Sequence, residues 1–279
     1  MIFVAVDELF AADVEAIRAH RHDQGGDYWT TPDHRLLKGS PFNMLECMQY
    51  LLELGVEPQD PDLQAAAALL WNCQRPDGRF RLYPKGAIFP CQTAHAAQVL
   101  CQLGQSCHPR LQVTMQHLFD TQQPDGGWRC EKYFFGRGPE TAYSNPYPTL
   151  IALDALRRSG RCDCQPALER AAKFLLAHWD IKKPIGPCHY GIGSRFMQVE
   201  YPFRGYNLFL YVYVLSHLPA VRGDRRFLEA FHALQEKTVD GQIVVERVVP
   251  KLAGLSFCKK GQPSSLATAR YREILQNLG

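Results

Sequence analysis

Apolar residues recur at helical spacing in ten stretches of this chain, with polar punctuation between them. Leu168, Ala171, Ala172, Leu175 and Leu176 put one apolar stripe on a helix over 167–179. The same period predicts helices over 9–21, 42–54, 62–73, 109–121, 206–218, 227–237 and 264–278. Two more end at Gly104 and Gly160. The stretches alternate in character. The first of each pair is amphipathic, and the second is short and mostly apolar. Proline stands at or just before the start of the second type at Pro41, Pro90, Pro146, Pro202 and Pro263, where a missing N–H does little harm. Glycine follows three of them, at Gly55, Gly104 and Gly160.

The punctuation repeats. Gln74-Arg75-Pro76-Asp77-Gly78-Arg79-Phe80 returns as Gln122-Gln123-Pro124-Asp125-Gly126-Gly127-Trp128. Degraded copies occupy 22–28 and 239–243, and the pair 167–179 and 206–218 lacks the Asp-Gly turn altogether. The period of roughly 45–60 residues is that of a two-helix unit with a long internal loop. One hairpin cannot bury both of its faces, so five hairpins must stack side by side. Asp-Gly makes a tight turn, and the aromatic two residues on is placed to pack beneath the next hairpin. This predicts structural roles for Asp77 and Asp125, with backbone N–H groups of the turn as their partners.

These signatures resemble the repeats of squalene–hopene cyclases and of protein prenyltransferase β subunits. The resemblance implies an all-α chain forming an α/α toroid over residues 1–279 as one domain. Outer and inner helices alternate, and the inner ring surrounds a central cavity. Six units is the usual count in those families. Five here imply a gap, a distorted closure, or a partner chain filling the space. The carry-over of chemistry is partial. The prenyltransferase zinc set of aspartate, nearby cysteine and histidine has no Asp-x-Cys counterpart at an inner-helix start, where Cys91 stands alone with His95 beyond it. The protonating Asp-x-Asp-Asp run of the cyclases is absent. Cys188-His189-Tyr190-Gly191 is similar to the Cys-His-Gly zinc triplet of lanthionine-forming cyclases, with one residue inserted.

Composition narrows the classes. A formal charge of +3 over 279 residues gives no argument for a nucleic-acid partner. No apolar run reaches membrane-spanning length, and the run over 2–6 is too short for a signal peptide, so the expected setting is cytoplasmic. Ten cysteines then read as core packing, catalysts or metal ligands rather than disulfides. In a toroid the outer-to-inner connections gather over the mouth of the inner ring. Cys91, Cys130, Cys188 and Cys258 lie in four such connections, with His189 beside the third. As a group they predict a thiolate site for zinc, or alternatively an iron–sulfur cluster. Taken singly, each reads better as a small buried hydrophobe. A second set, Cys107-His108 with Cys162-Asp163-Cys164, falls at the opposite end.

Polar stripes mark the inner helices. Asn43, Glu46, Tyr50 and Glu53 share one face; Cys91, His95, Gln98 and Gln102 another; Tyr206, Tyr213 and His217 a third. If these faces point inward, the cavity is wet and suits a small-molecule or peptide ligand better than a long isoprenoid. Glu46, His95, Gln98, Asp154, Tyr206 and Tyr213 are the expected lining, although Asp154 has Arg157 and Arg158 as partners on its own helix. Two classes stay open: a metal-dependent transferase or cyclase-like enzyme, and a binding or scaffold module with structural metal or none. The fold does not choose between them.

Overall fold

The computed structural model describes residues 8–279, the side chains of Glu8 and Cys162 excepted. The apolar run over 2–6 lies outside them. Ten α-helices follow in order: α1 Ala11–Ala19, α2 Met44–Glu53, α3 Pro61–Asn72, α4 Pro90–Gln102, α5 Pro109–Asp120, α6 Pro146–Arg158, α7 Gln165–Ile181, α8 Leu208–Ser216, α9 Arg225–Gln235 and α10 Ser265–Leu278. Among the described residues the one sheet is small, β1 Thr238–Val239 with β2 Gln242–Ile243, and it brackets the Asp240-Gly241 turn.

The two helix types behave as their patterns require. On α5, Leu111, Thr114, Met115 and Leu118 are buried, a single stripe at i, i+3, i+4 and i+7. On α8 every residue is buried. The even-numbered helices pack in series, α2 on α4, α4 on α6, α6 on α8 and α8 on α10, and the odd-numbered helices lie against them from outside. Pro90 and Pro146 open their helices at the first turn. Pro41, Pro202 and Pro263 stand farther upstream, and α2, α8 and α10 start instead at the capping side chains of Asn43, Asn207 and Ser264.

The five-unit ring closes with its own residues. Arg270 on α10 grips Glu53 on α2 with two hydrogen bonds of 2.7 Å. Outside, Asp13 on α1 accepts from the backbone N–H groups of Ser256 (2.8 Å) and Phe257 (3.1 Å).

The repeat signature is a joint between neighbouring hairpins. Gln74 donates to the Arg110 carbonyl on α5, and Gln122 to the Ala167 carbonyl on α7. Gly78 (φ +84°) and Gly126 (φ +91°) occupy the left-handed region and also press on those helices. A Cβ on Gly78 would lie 2.7 Å from the Val113 oxygen, and one on Gly126 2.3 Å from the Arg170 oxygen. Asp77 accepts from the Arg79 N–H, and Asp125 from the Gly127 N–H and from Ser144. The N–H groups of Phe80, Trp128 and Ile243 donate to Thr93, Thr149 and Thr268, a threonine at the fourth position of α4, α6 and α10. Trp128 is buried, with its indole N–H on the Leu118 carbonyl. In the first hairpin Trp29, one residue beyond the degraded copy, makes the matching bond to Ile17.

Candidate functional site

The polar faces of the inner helices converge on a central cavity of about 80 Å³. Glu46, Gln49, Tyr50 and Glu53 reach it from α2. His95, Gln98 and Gln102 come from α4, Tyr147, Asp154 and Arg158 from α6, and Tyr213 from α8. Ile151 on α6 and Leu210 on α8 add aliphatic surface, and the remaining wall is the α7–α8 connection, through Pro202, Phe203, Arg204 and Gly205. A ligand-sized pocket is several times larger, typically about 300–1,000 Å³, whereas this one has room for a few waters.

Tyr206 does not line it. Its hydroxyl meets His178 Nδ1 at 2.9 Å and its ring packs on Phe196, because the connection turns inward before α8 begins. Arg204 and Gln49 are lining residues that the sequence reading passed over. Gln49 sits three positions after Glu46 and so on the same helix face. Arg204 lies in a connection without helical period, and only its partner Glu46 reveals its direction.

Every cavity carboxylate is paired. Arg204 Nε lies 2.7 Å from Glu46, which also holds the Asn43 amide. Glu53 accepts from Arg270 and from the Tyr201 hydroxyl. Asp154 accepts from Arg158 (2.9 Å) and from Gln98 (2.5 Å), and its other oxygen is ion-paired with Arg157 (2.5 Å). Burial alone would raise both Glu53 and Asp154, but Arg270 for one, and Arg157 and Arg158 for the other, outweigh it and hold both carboxyls below their usual range. These two groups are fixed as anions.

A directed hydrogen-bond relay crosses the cavity. His95 Nε2–H donates to Gln49 Oε1 (2.7 Å), Gln49 Nε2 to Gln98 Oε1 (3.2 Å), and Gln98 Nε2 to Asp154 Oδ2. The acceptor at its end sets the direction, and the direction sets the His95 tautomer with its proton on Nε2. Burial pushes His95 down to about 4, so the imidazole is neutral near pH 7. The Tyr50 hydroxyl and the Gln102 carbonyl oxygen are buried without a partner and face this space.

The cysteines part company. The connections carrying Cys130 and Cys188 are brought side by side at Asn145, where each thiol shifts the other's hold on its proton, and Cys91 is near enough to act on Cys188 and be acted on by Cys130. Cys258 does not join them. It is buried with its thiol 3.5 Å from the Leu252 carbonyl and Asp13 nearby, because its segment is tied to α1 at the outer layer. His189 adopts φ +58° and lies against Gly136 and Glu140 rather than the thiols. Among the described residues no three His, Cys, Asp or Glu side chains are placed to share a metal ion, so the residues as arranged do not fit a zinc or iron–sulfur site. At the other end His108 caps α5, Asp163 pairs with Arg161, and Cys107 is exposed; the Cys162 side chain lies outside the described residues.

No protein-family model matches the chain. The squalene–hopene cyclase of Alicyclobacillus acidocaldarius is 38% identical over 73 residues, which is 24% of this chain and 11% of that protein. The chain is similar to squalene–hopene cyclase in that stretch. A type II terpene cyclase from Scytonema, in complex with its substrate geranylgeranyl dihydroxybenzoate, aligns with a TM-score of 0.47 and 18% identity over 84% of this chain and 66% of that one. The same cyclase in its apo form gives a TM-score of 0.48 and 16% identity over 95% and 80%. Among the described residues no helix is long and apolar enough to cross a membrane.

Proposed function

We propose that this toroid binds a small polar ligand at its centre and does not cyclise a polyprenyl chain in the closed form described above. One observation carries the reading: the cavity holds about 80 Å³, and three ion-paired carboxylates and an imidazole–amide relay share its wall with Ile151, Phe203 and Leu210. A fifteen- or twenty-carbon prenyl chain needs several times that volume. Protonation of an alkene needs a carboxylic acid that carries its proton, and Glu53 and Asp154 are both held as anions. A ligand of a few heavy atoms with both donors and acceptors would meet the unpartnered Tyr50 hydroxyl and Gln102 oxygen.

A second reading, cyclase-like or transferase-like work on an isoprenoid, is favoured by the local match to squalene–hopene cyclase. It requires residues 202–205 to leave the centre, since they form one wall. Thermal-shift and calorimetric titrations against small polyols, amino acids and carboxylates, and against geranylgeranyl diphosphate, separate the two. Stabilisation by a small polar compound that is lost in Gln98→Leu supports the first reading. Binding and turnover of the isoprenoid would overturn it.

A further inference from the structure

We propose that Cys130 and Cys188 form a redox-active dithiol at the mouth of the ring, closing to a disulfide by exchange with a low-molecular-weight disulfide. The two cysteines come from the connections of different hairpins and are brought to one post, Asn145, at the cap of α6. The Cys130 N–H donates to Asn145 Oδ1 at 2.7 Å. The turn carrying Cys188 is pressed on the same residue. Gly186 has φ +76°, and a Cβ there would lie 2.6 Å from the Ser144 oxygen and 3.0 Å from Asn145 Cα. Two backbone bonds hold the segments side by side, Phe135 N–H to the Pro187 carbonyl (2.8 Å) and Gly186 N–H to the Glu140 carbonyl (2.9 Å). The pairing is therefore a property of the fold at this point.

A separate observation points to a donor able to receive the Cys188 thiolate once Cys130 has taken its proton. Asn145 is fully buried, and its Nδ2 has no conventional acceptor. A buried amide donor left so is unfavourable, and the Cys188 sulfur is the group it reaches. The electrostatics agree. Cys130 is held down to about 6, first by the hydrogen bond from Cys188 and then, against burial, by the N–H groups of Lys132 and Tyr133. Cys188 is pushed up because its proton is the one donated. Cys47, Cys73, Cys101 and Cys258 are all pushed up by burial, as inert core thiols are. Cys91, pushed up to about 11 by burial, stays a thiol beside the pair.

Cys130 is covered and Cys188 is half-buried, so a small disulfide RSSR arrives at Cys188. The Cys130 thiolate takes the Cys188 proton. The Cys188 sulfur attacks one sulfur of RSSR, whose S–S bond breaks to release RS⁻ and leave a Cys188–SR mixed disulfide. Cys130 passes its proton to that RS⁻, giving RSH, and its thiolate attacks the Cys188 sulfur. The bond to SR breaks, the Cys130–Cys188 bond forms, and the second RS⁻ leaves to be protonated by solvent. The protein loses two electrons and RSSR gains them.

The test uses the wild-type chain, purified without added metal and fully reduced, then equilibrated in buffers of oxidised and reduced glutathione. Peptide mass mapping after blocking the remaining thiols should recover one cross-linked peptide pair joining Cys130 to Cys188, lighter by two hydrogen atoms. Cys188→Ser and Cys130→Ser should abolish it, and Cys91→Ser should leave it in place. Glutathione found singly on Cys107 or Cys188 with no cross-link, a cross-link through Cys91, or one equivalent of zinc retained on thiols that resist glutathione would each overturn the proposal. The wild-type map decides even if a variant fails to fold.

Discussion

The hairpins that carry the Gln-Pro-Asp-Gly signature, α3–α4 and α5–α6, differ sharply from α7–α8, which lacks it. In the first two, Gln74, Gln122 and the two turn glycines clamp each hairpin to the next outer helix, and the turn stays at the periphery. In α7–α8 no such clamp exists. The freed connection folds inward, where Arg204 reaches Glu46, Tyr201 reaches Glu53 and Phe203 packs on Phe209 and Tyr213. Losing a turn motif in one repeat thus supplies a wall for the cavity and helps close a ring one unit short.

The largest effect of any single substitution should come from the clamp. Trp128→Ala removes a fully buried aromatic and its bond to Leu118, and should destabilise by about 3–5 kcal/mol in denaturant unfolding. An unchanged melting temperature with loss of ligand binding would place Trp128 in the site instead.

Acid should act on a similar scale, and it probes both regions. His95 in the signature hairpin and His178 in the inward-folded one are each pushed from 6.5 to about 4 by burial. Between those values the unfolded chain takes up a proton that the fold refuses. Stability from each histidine is therefore complete above pH 6.5 and falls as pH drops toward 4, by up to about 1.4 kcal/mol per pH unit. Glu53 and Asp154, held low by arginines, add losses of the same sign only below their unfolded range near pH 4. Melting scans from pH 7.5 to 4.5 should fall monotonically, and His178→Gln should flatten them. A curve rising toward pH 5 would mean these imidazoles are not buried neutral.

Arg204→Ala should cost about 1–3 kcal/mol, because Glu46 is left half-buried without its cation. It should also loosen the connection and enlarge the cavity, so a prenyl diphosphate that wild type excludes should gain measurable affinity. No gain in binding would show that the wall is held by Tyr201 and Phe203 alone.

The smallest difference lies within the signature. Asp125→Ala should cost about 1–2 kcal/mol and Asp77→Ala less, since Asp125 ties Gly127 and Ser144 together while Asp77 pairs only with Arg79. Equal losses in thermal unfolding would contradict this.

The sequence alone determined the ten helices, their alternation and the joints at Asp77-Gly78 and Asp125-Gly126. Those features are local or periodic: a 3.6-residue stripe, a capping side chain, a turn that tolerates only glycine. The polar stripes carrying Glu46 on α2 and His95 and Gln98 on α4 were legible for the same reason. Which stripes meet, and what stands between them, was decided by the tertiary structure. Cys258 leaves the thiol group because Asp13, far away in sequence, anchors its segment to α1. Cys130 and Cys188 meet because Asn145 holds one while the turn of the other lies against it. Tyr206 leaves the cavity and Arg204 enters it because a connection without periodicity takes its path from the partners it finds. A charge buried at the centre must be matched by whichever segment can reach it, and that pairing has no period to read.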